Sequence, residues 1–382
     1  MFIALLAAIA PLALHAKPTT APTTAPAKVY KPWAHQFMMI EGPALATGTF
    51  KDAVAPIVPV VHVTLAESAQ REYPLRGSWR SGQIATKFAF TELLPSWNVI
   101  APPMTGARLT VRTRSASTGE WSPWVDIGSW GRTPAEEFAK RTTAFTGGKV
   151  DVDTLVLKSP ANAYELQATL YSFDSSGKVS PELHRVTAVA SRRVADVRER
   201  EALLGPATQP AWQPRDLTVP YRPQGDAPEN LRHQVCSPTS VSMVMAYCGV
   251  EKPIVEVAQN IYDDENGLFG NWSRAVQYPA SLGLDSYVTR ISSMDEARAL
   301  IYSGQPIVAS IKFTKGEFPS NLQDDTAGHL IVIRGFNSAG DAIVNDPGNR
   351  KKGNGVIYKA DELARAWLYN TGGVAYIIRK RG

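Results

Sequence analysis

Two cysteines and six histidines are the residues of this 382-residue chain best suited to covalent chemistry. Cys236 and Cys248 lie in one short segment, VCSPTSVSMVMAYC. Ser237 and Pro238 signal a helix start. Val241, Val244, Met245 and Cys248 then recur at i, i+3, i+4 and i+7, one face of an amphipathic helix. Cys236 therefore falls at a helix N-terminus, where the partial positive charge favours the thiolate. A thiol nucleophile needs that placement. Cys248 lies about 18 Å further along such a helix, at about 1.5 Å per residue, and cannot bond to Cys236. Its phase makes it a buried small hydrophobe.

A thiolate also needs a base and a group to orient that base. His15 belongs to an apolar N-terminal run, and His35, His62 and His184 fall in a β-rich half. His233 stands three residues from Cys236 in an irregular loop, too close to hold its ring against the thiol. His329 opens an apolar strand, GHLIVIRGF, at residues 328–336. Residues 337–340 read as a turn and 341–346 (DAIVND) as the return strand of a β-hairpin. With Phe336 opposite Asp341, Ile331 faces Asp346, and His329 and Asp346 are diagonal neighbours about 7–8 Å apart at the backbone. Asp346 can then accept one ring N–H of His329 and leave the other nitrogen for Cys236. The plainer readings are a strand-end histidine satisfied locally and a turn-starting aspartate before Pro347.

Cys-Ser-Pro-Thr-Ser at 236–240, Gly-His at 328–329 and Asn-Asp-Pro at 345–347 together resemble a papain-like cysteine peptidase family. It is the family typified by bacteriocin leader-processing peptidases, in its stand-alone exported branch. GNWSRAVQYPASLGL at 270–284 and SGQPIVASI at 303–311 fit it too, and the likeness spans about residues 219–379. The resemblance implies a papain-like α+β fold. It also implies a triad of Cys236 as nucleophile, His329 as base and then acid, and Asp346 as orienter. Such families add an oxyanion-hole glutamine after a short Val-Pro strand. Gln224, in VPYRPQ, takes that role by position, and Gln234 is the second choice. The Cys236 backbone N–H would be the other donor.

The elements that must position these residues follow from composition and pattern. The chain is 44% hydrophobic and 20% charged, ordinary globular content that suits two domains. Two cysteines exclude a disulfide scaffold, and their spacing excludes a zinc finger or ribbon. The net charge of +5 is scattered, which argues against nucleic acid as a partner. No apolar run reaches the ~18 residues of a membrane-spanning helix. No Gly-rich phosphate loop occurs, and the chemistry calls for no metal or cofactor. Asp263, Asp264 and Glu265 lack the alternation of a calcium loop and read as a solvated helix end. Gly270–Trp272 reads either as cleft lining or as packing around Trp272.

Residues 1–16 read as a secretory signal peptide and residues 17–29, rich in Pro and Thr, as an extended linker. From 30 to 195 the pattern is short strands: 60–65, 83–90, 107–114, 154–158 and 164–171, separated by Gly, Pro, Ser and Asn. They suggest a jelly-roll-like β-sandwich. LLPSW at 93–97 and the later WSPW resemble sandwich modules attached to exported bacterial peptidases. Six of nine tryptophans lie between Trp33 and Trp130. They read as core packing or as an aromatic platform for sugar rings. Residues 192–204 are charged and suit a helix. Three prolines within 206–214 then end it, so 196–218 reads as a linker.

The expected fold class is α+β: a β-sandwich over 30–195, then a papain-like cysteine peptidase domain over 219–382. The expected function is an exported peptidase that cleaves a peptide or amide bond through a thioester acyl-enzyme. It would act on a peptide or protein substrate, in a secreted or periplasmic location, with cell-envelope polysaccharide as a partner of the sandwich. Two alternatives stand beside it: a surface-binding protein on a catalytically weak peptidase-like scaffold, and an acyltransferase using the same triad.

Overall fold

The computed structural model describes residues 28–56, 62–71, 73–206 and 211–381. The signal-peptide reading of 1–16, the linker up to residue 27 and the start of the expected strand at 60 lie outside the described residues. Lys31–Gly382 form one compact unit.

Ten strands between Trp33 and Arg193 form one antiparallel hydrogen-bonded network. Its backbone is two long strands, Ile84–Ile100 and Thr154–Ser172. The first carries Trp33–Glu41 and Glu182–Arg193 on one side. The second carries Leu75–Arg80 and Thr105–Ser115 along its far half. Two layers result, and Phe90, Leu93, Trp97, Leu109, Leu166 and Val186 fill the core between them. The long strands cross proline signals that were expected to end strands. Pro95 pairs with Ala188, while the ladder to Thr154–Ser172 stops at Leu93, so the missing N–H faces no neighbour strand. Pro160 sits where the register shifts between Val156 and Ala161.

The stretch expected as a linker at 196–218 contains structure. The Asp196 side chain caps the helix Val197–Leu204 by accepting the Glu199 N–H at 2.9 Å, and the Glu199 carboxylate reaches back to the Ala195 N–H. Arg215–Asp216 pairs with the strand Thr326–Phe336.

The second sheet has seven antiparallel strands. Leu284–Arg290 is an edge, followed by Val374–Lys380, Ile307–Phe313, Thr326–Phe336, Ala342–Asn345 and Val356–Tyr358. The helix Cys236–Tyr247 packs on this sheet. Its residues from Ser237 to Met245 are all buried, so the helix is enclosed and not amphipathic as its periodicity suggested. Its hydroxyls are satisfied inside: Thr239 Oγ1 donates to Val235 O, Ser242 Oγ to Thr239 O and Ser240 Oγ to Leu330 O.

The two sheets meet through the helix Trp272–Ser281 and the edge strand Leu284–Arg290. Gln277 exchanges two hydrogen bonds with the backbone of Val99, at 2.9 and 2.6 Å. Ser273 Oγ donates to Pro95 O, and Asn98 Nδ2 donates to Ser286 O. Val288 N–H donates to Ser96 Oγ. An edge strand that would otherwise offer bare backbone groups is therefore covered by the first sheet. Leu94 and Val189 join the apolar cluster of the second sheet, so the cores are continuous there. Among the described residues no helix is long and apolar enough to cross a membrane.

Candidate active site

Cys236 is the first residue of its helix, after Val235, whose side chain makes no cap. Its amide is one of the helix-start N–H groups with no partner inside the helix. One turn on, Ser240 Oγ donates to the carbonyl of Leu330 at 3.1 Å. Residues i and i+4 share a helix face. That anchor therefore holds Cys236 beside His329, the residue before Leu330.

His329 stands where its strand leaves solvent. Ala327 and Gly328 are exposed, and His329 is 5% exposed. Its Nε2 lies 2.8 Å from Asp346 Oδ1. Its side chain also interacts with that of Cys236. The hairpin differs from its expected register near the turn. Phe336 pairs with Ala342 and not with Asp341. Asp341 closes the turn on Asn337 instead, its carbonyl accepting the Asn337 N–H and its own N–H donating to Asn337 Oδ1, both at 3.0 Å. A bulge between Ile333 and Gly335 then restores the offset, so that Val332 faces Asn345. His329 and Asp346 thus meet diagonally.

Asp346 is fully buried, and both oxygens of its carboxylate are hydrogen-bonded. Oδ1 also accepts the Gly348 N–H at 2.8 Å, and Oδ2 accepts the Tyr358 hydroxyl at 2.5 Å. Tyr221 OH donates to the carbonyls of Asp346 and Asn349. The loop closes tightly at Gly353, where a Cβ would stand 2.0 Å from Asp346 O, so only glycine fits. No sequence signal marked Tyr358 or Tyr221; each is one aromatic in a short strand or loop.

Electrostatics favour a thiolate–imidazolium pair. Burial would push the Cys236 thiol up, but the hydrogen bond and charge of His329 and the N–H groups of Leu330 and Ser237 outweigh it and hold it low. Burial would lower His329, but the Asp346 carboxylate and Cys236 push it up to about 10. Burial likewise opposes ionisation of Asp346, and His329, Tyr358 and the Gly348 N–H reverse that and keep it below the usual carboxylate range.

The two glutamines sit differently. The Gln224 N–H donates to Pro347 O at 2.9 Å, beside Asp346, and Gln224 Nε2 donates to Arg232 O at 2.8 Å. Gln234 is exposed and lines the cavity onto which Cys236 opens. That cavity measures about 750 Å³. Gly270 and Trp272 line it as well, with Trp272 half-buried. Cys248 is 7% exposed, and its Sγ lies 3.6 Å from Ile378 O.

Other candidates resolve plainly. Asp263 is buried, not solvated, because Asn266 Nδ2 and Asn271 Nδ2 both donate to its carboxylate. Asp264 and Glu265 are exposed. Among the described residues no group of three or more His, Cys, Asp or Glu side chains is placed to hold a metal ion. Trp79 and Trp97 are core residues, and the rings of Trp121 and Trp124 carry the guanidiniums of Arg112 and Arg80.

Residues 216–375 match the family described as Peptidase_C39 like, and residues 44–191 match the Peptidase C39 N-terminal domain. No curated protein matches the chain. Among solved structures, a putative C39-like peptidase from Bacillus anthracis is 19% identical, over 44% of this chain and 99% of that one, with a TM-score of 0.35. A double glycine motif protease from an AMS/PCAT transporter, in complex with the leader peptide, is 21% identical over 44% and 99%, with a TM-score of 0.31. The peptidase domain of Streptococcus ComA is 16% identical over 43% and 99%, with a TM-score of 0.30. Two regions of the chain are thus similar to C39 peptidase domains: residues 216–375 to the Peptidase_C39 like family and residues 44–191 to the Peptidase C39 N-terminal domain.

Proposed function

We propose that the protein is an exported cysteine peptidase that hydrolyses a peptide or amide bond with Cys236, His329 and Asp346. One observation carries the reading: a thiol at a helix N-terminus interacting with a histidine whose Nε2 lies 2.8 Å from a buried carboxylate. The Cys236 thiolate attacks the carbonyl carbon, and the carbonyl π pair moves onto oxygen. The tetrahedral oxyanion collapses, the C–N bond breaks, and His329 gives its proton to the leaving amine. A thioester remains. Neutral His329 then takes a proton from water as that water attacks the thioester. The second oxyanion collapses to the acid and expels the thiolate. Asp346 stays ionised and holds the ring.

The Cys236 N–H supports the oxyanion, and Gln224 is the second donor. Gln224 is tethered beside Asp346, and its amide keeps one hydrogen after the bond to Arg232 O. Gln234 is the alternative, since it lines the cavity. Export rests on the apolar segment at residues 1–16, and N-terminal sequencing of protein recovered outside the cytoplasm tests it. A sugar-polymer partner of the N-terminal part is a separate proposal, tested by pull-down on cell-wall polysaccharide.

The test of the activity is a mixed library of internally quenched peptides. The protein should cleave members of it, and Cys236→Ala should cut the rate by at least about 10⁴-fold. Cleavage retained in Cys236→Ala refutes the reading. Adding a free amine during cleavage separates hydrolysis from acyl transfer by the product formed.

A further inference from the structure

The cavity at Cys236 has a wall that the peptidase part does not supply. Trp33, Glu92, Asp151, Val152, Val156 and Arg193 line it from the first sheet. Part of that wall is the hairpin tip between Gly148–Asp151 and Thr154–Ser172.

The tip is built against backbone preference. Val152 has φ +60°, and the Asp153 N–H donates to Asp151 O at 2.8 Å. That is a γ-turn with a left-handed centre, the rarer and more strained of the two kinds. A β-branched residue there is a genuine outlier, where glycine would sit without cost. Such strain persists only where surrounding structure over-determines it. Asp153 does so. Its side chain is 3% exposed, and Oδ2 accepts the Trp272 N–H at 2.5 Å, at the start of the helix that joins the two sheets. Thr154 Oγ1 donates to Asp153 Oδ1 at 3.1 Å. The anchor pins the tip against the peptidase part and holds Val152 in the cavity wall.

We propose that the Val152 tip is a specificity element of the peptidase site, which seats an apolar side chain of the peptide flanking the attacked carbonyl. Val152 and Val156 from the first sheet, and Leu268 and Trp272 from the peptidase part, line the cavity and supply the apolar surface of that seat. The inference rests on the peptidase reading for the identity of the ligand, and on the geometry alone for the wall.

The experiment measures alkylation of Cys236 in a Cys248→Ser background, with iodoacetamide and with a bulky fluorescein maleimide, at a pH where any thiol reacts. Val152→Trp should slow the maleimide by about tenfold or more, the range commanded by one pocket side chain, and leave iodoacetamide unchanged. Val152→Gly, which suits the left-handed turn and folds without strain, should speed the maleimide. In parallel, peptidyl vinyl sulfones with Leu or Gly beside the electrophile should favour Leu in the parent and lose that preference in Val152→Trp. A maleimide-to-iodoacetamide ratio unchanged in both variants overturns the wall. A changed ratio with an unchanged Leu preference overturns the seat. Failure of the peptidase reading shows separately, as a Cys236 with no activation at neutral pH.

Discussion

The two walls of the cavity are held in opposite ways. On the peptidase side the reactive groups sit in or directly beside regular elements: a thiol at a helix start, a histidine on a strand, and a carboxylate one residue past a strand that accepts three hydrogen bonds. On the sandwich side the chain is bent into a left-handed turn at Val152 and pinned by one buried carboxylate. Chemistry needs fixed distances, and regular elements supply them cheaply. A wall that only has to fill space can be carried by a strained turn, provided a neighbouring part of the fold clamps it. The comparison predicts that changes to the reacting groups on the peptidase side act on the rate of chemistry, and that changes on the sandwich side act on what binds and on stability.

The largest effect should come from the orienting carboxylate. Asp346→Asn should lower kcat/KM on a cleaved library peptide by up to about 10⁴-fold, through the wrong histidine tautomer. A loss confined to KM would break the comparison. Next is the proposed oxyanion donor. Gln224→Ala should cost about 10²–10³-fold in kcat, with Gln234→Ala close to the parent. The reverse ranking would move the role to Gln234 and sharpen the picture of that wall. On the sandwich side, Glu92→Ala removes the carboxylate 2.8 Å from the buried guanidinium of Arg290. It should cost about 3 kcal/mol of stability in urea unfolding, because an unpaired charge is left inside. The smallest effect should be Tyr358→Phe. Losing its bond to Asp346 should cost about 1.5–3 kcal/mol in the same assay and leave the thiol–histidine pair able to react.

Much of the peptidase side was readable because its signals are local. Ser-Pro after Cys236 marks a helix start, and the continuous apolar run after His329 marks a strand. The pairing of His329 with Asp346 could be reached from the hairpin offset alone, although the true turn departs by one residue and a bulge restores it. The enclosed environment of the helix Cys236–Tyr247 was not readable. Periodicity reports which positions are apolar, and says nothing of a second layer covering the small polar ones. Tyr358 and Tyr221 reach Asp346 from 12 and 125 residues away, so no spacing rule could find them. The sandwich wall was hidden for the same reason. Asp153 and Trp272 are 119 residues apart, and only the docking of the two sheets brings them together. The prolines at 95 and 160 misled in a physical way: each sits where the strand has lost a neighbour or its register, which is where proline is tolerated.

The most direct test of the central claim is the pH dependence of Cys236 alkylation by iodoacetamide, in a Cys248→Ser background, with and without His329→Ala. The lowered thiol and the raised histidine predict a thiolate that reacts well below the ordinary thiol value of about 8.5. The thiolate should stand paired with imidazolium until His329 deprotonates near 10, and remain a reactive, unpaired thiolate above it. His329→Ala should return the profile to that of an ordinary thiol. A Cys236 that titrates as an ordinary thiol in both proteins would contradict the ion pair, and with it the account of this chain as a peptidase.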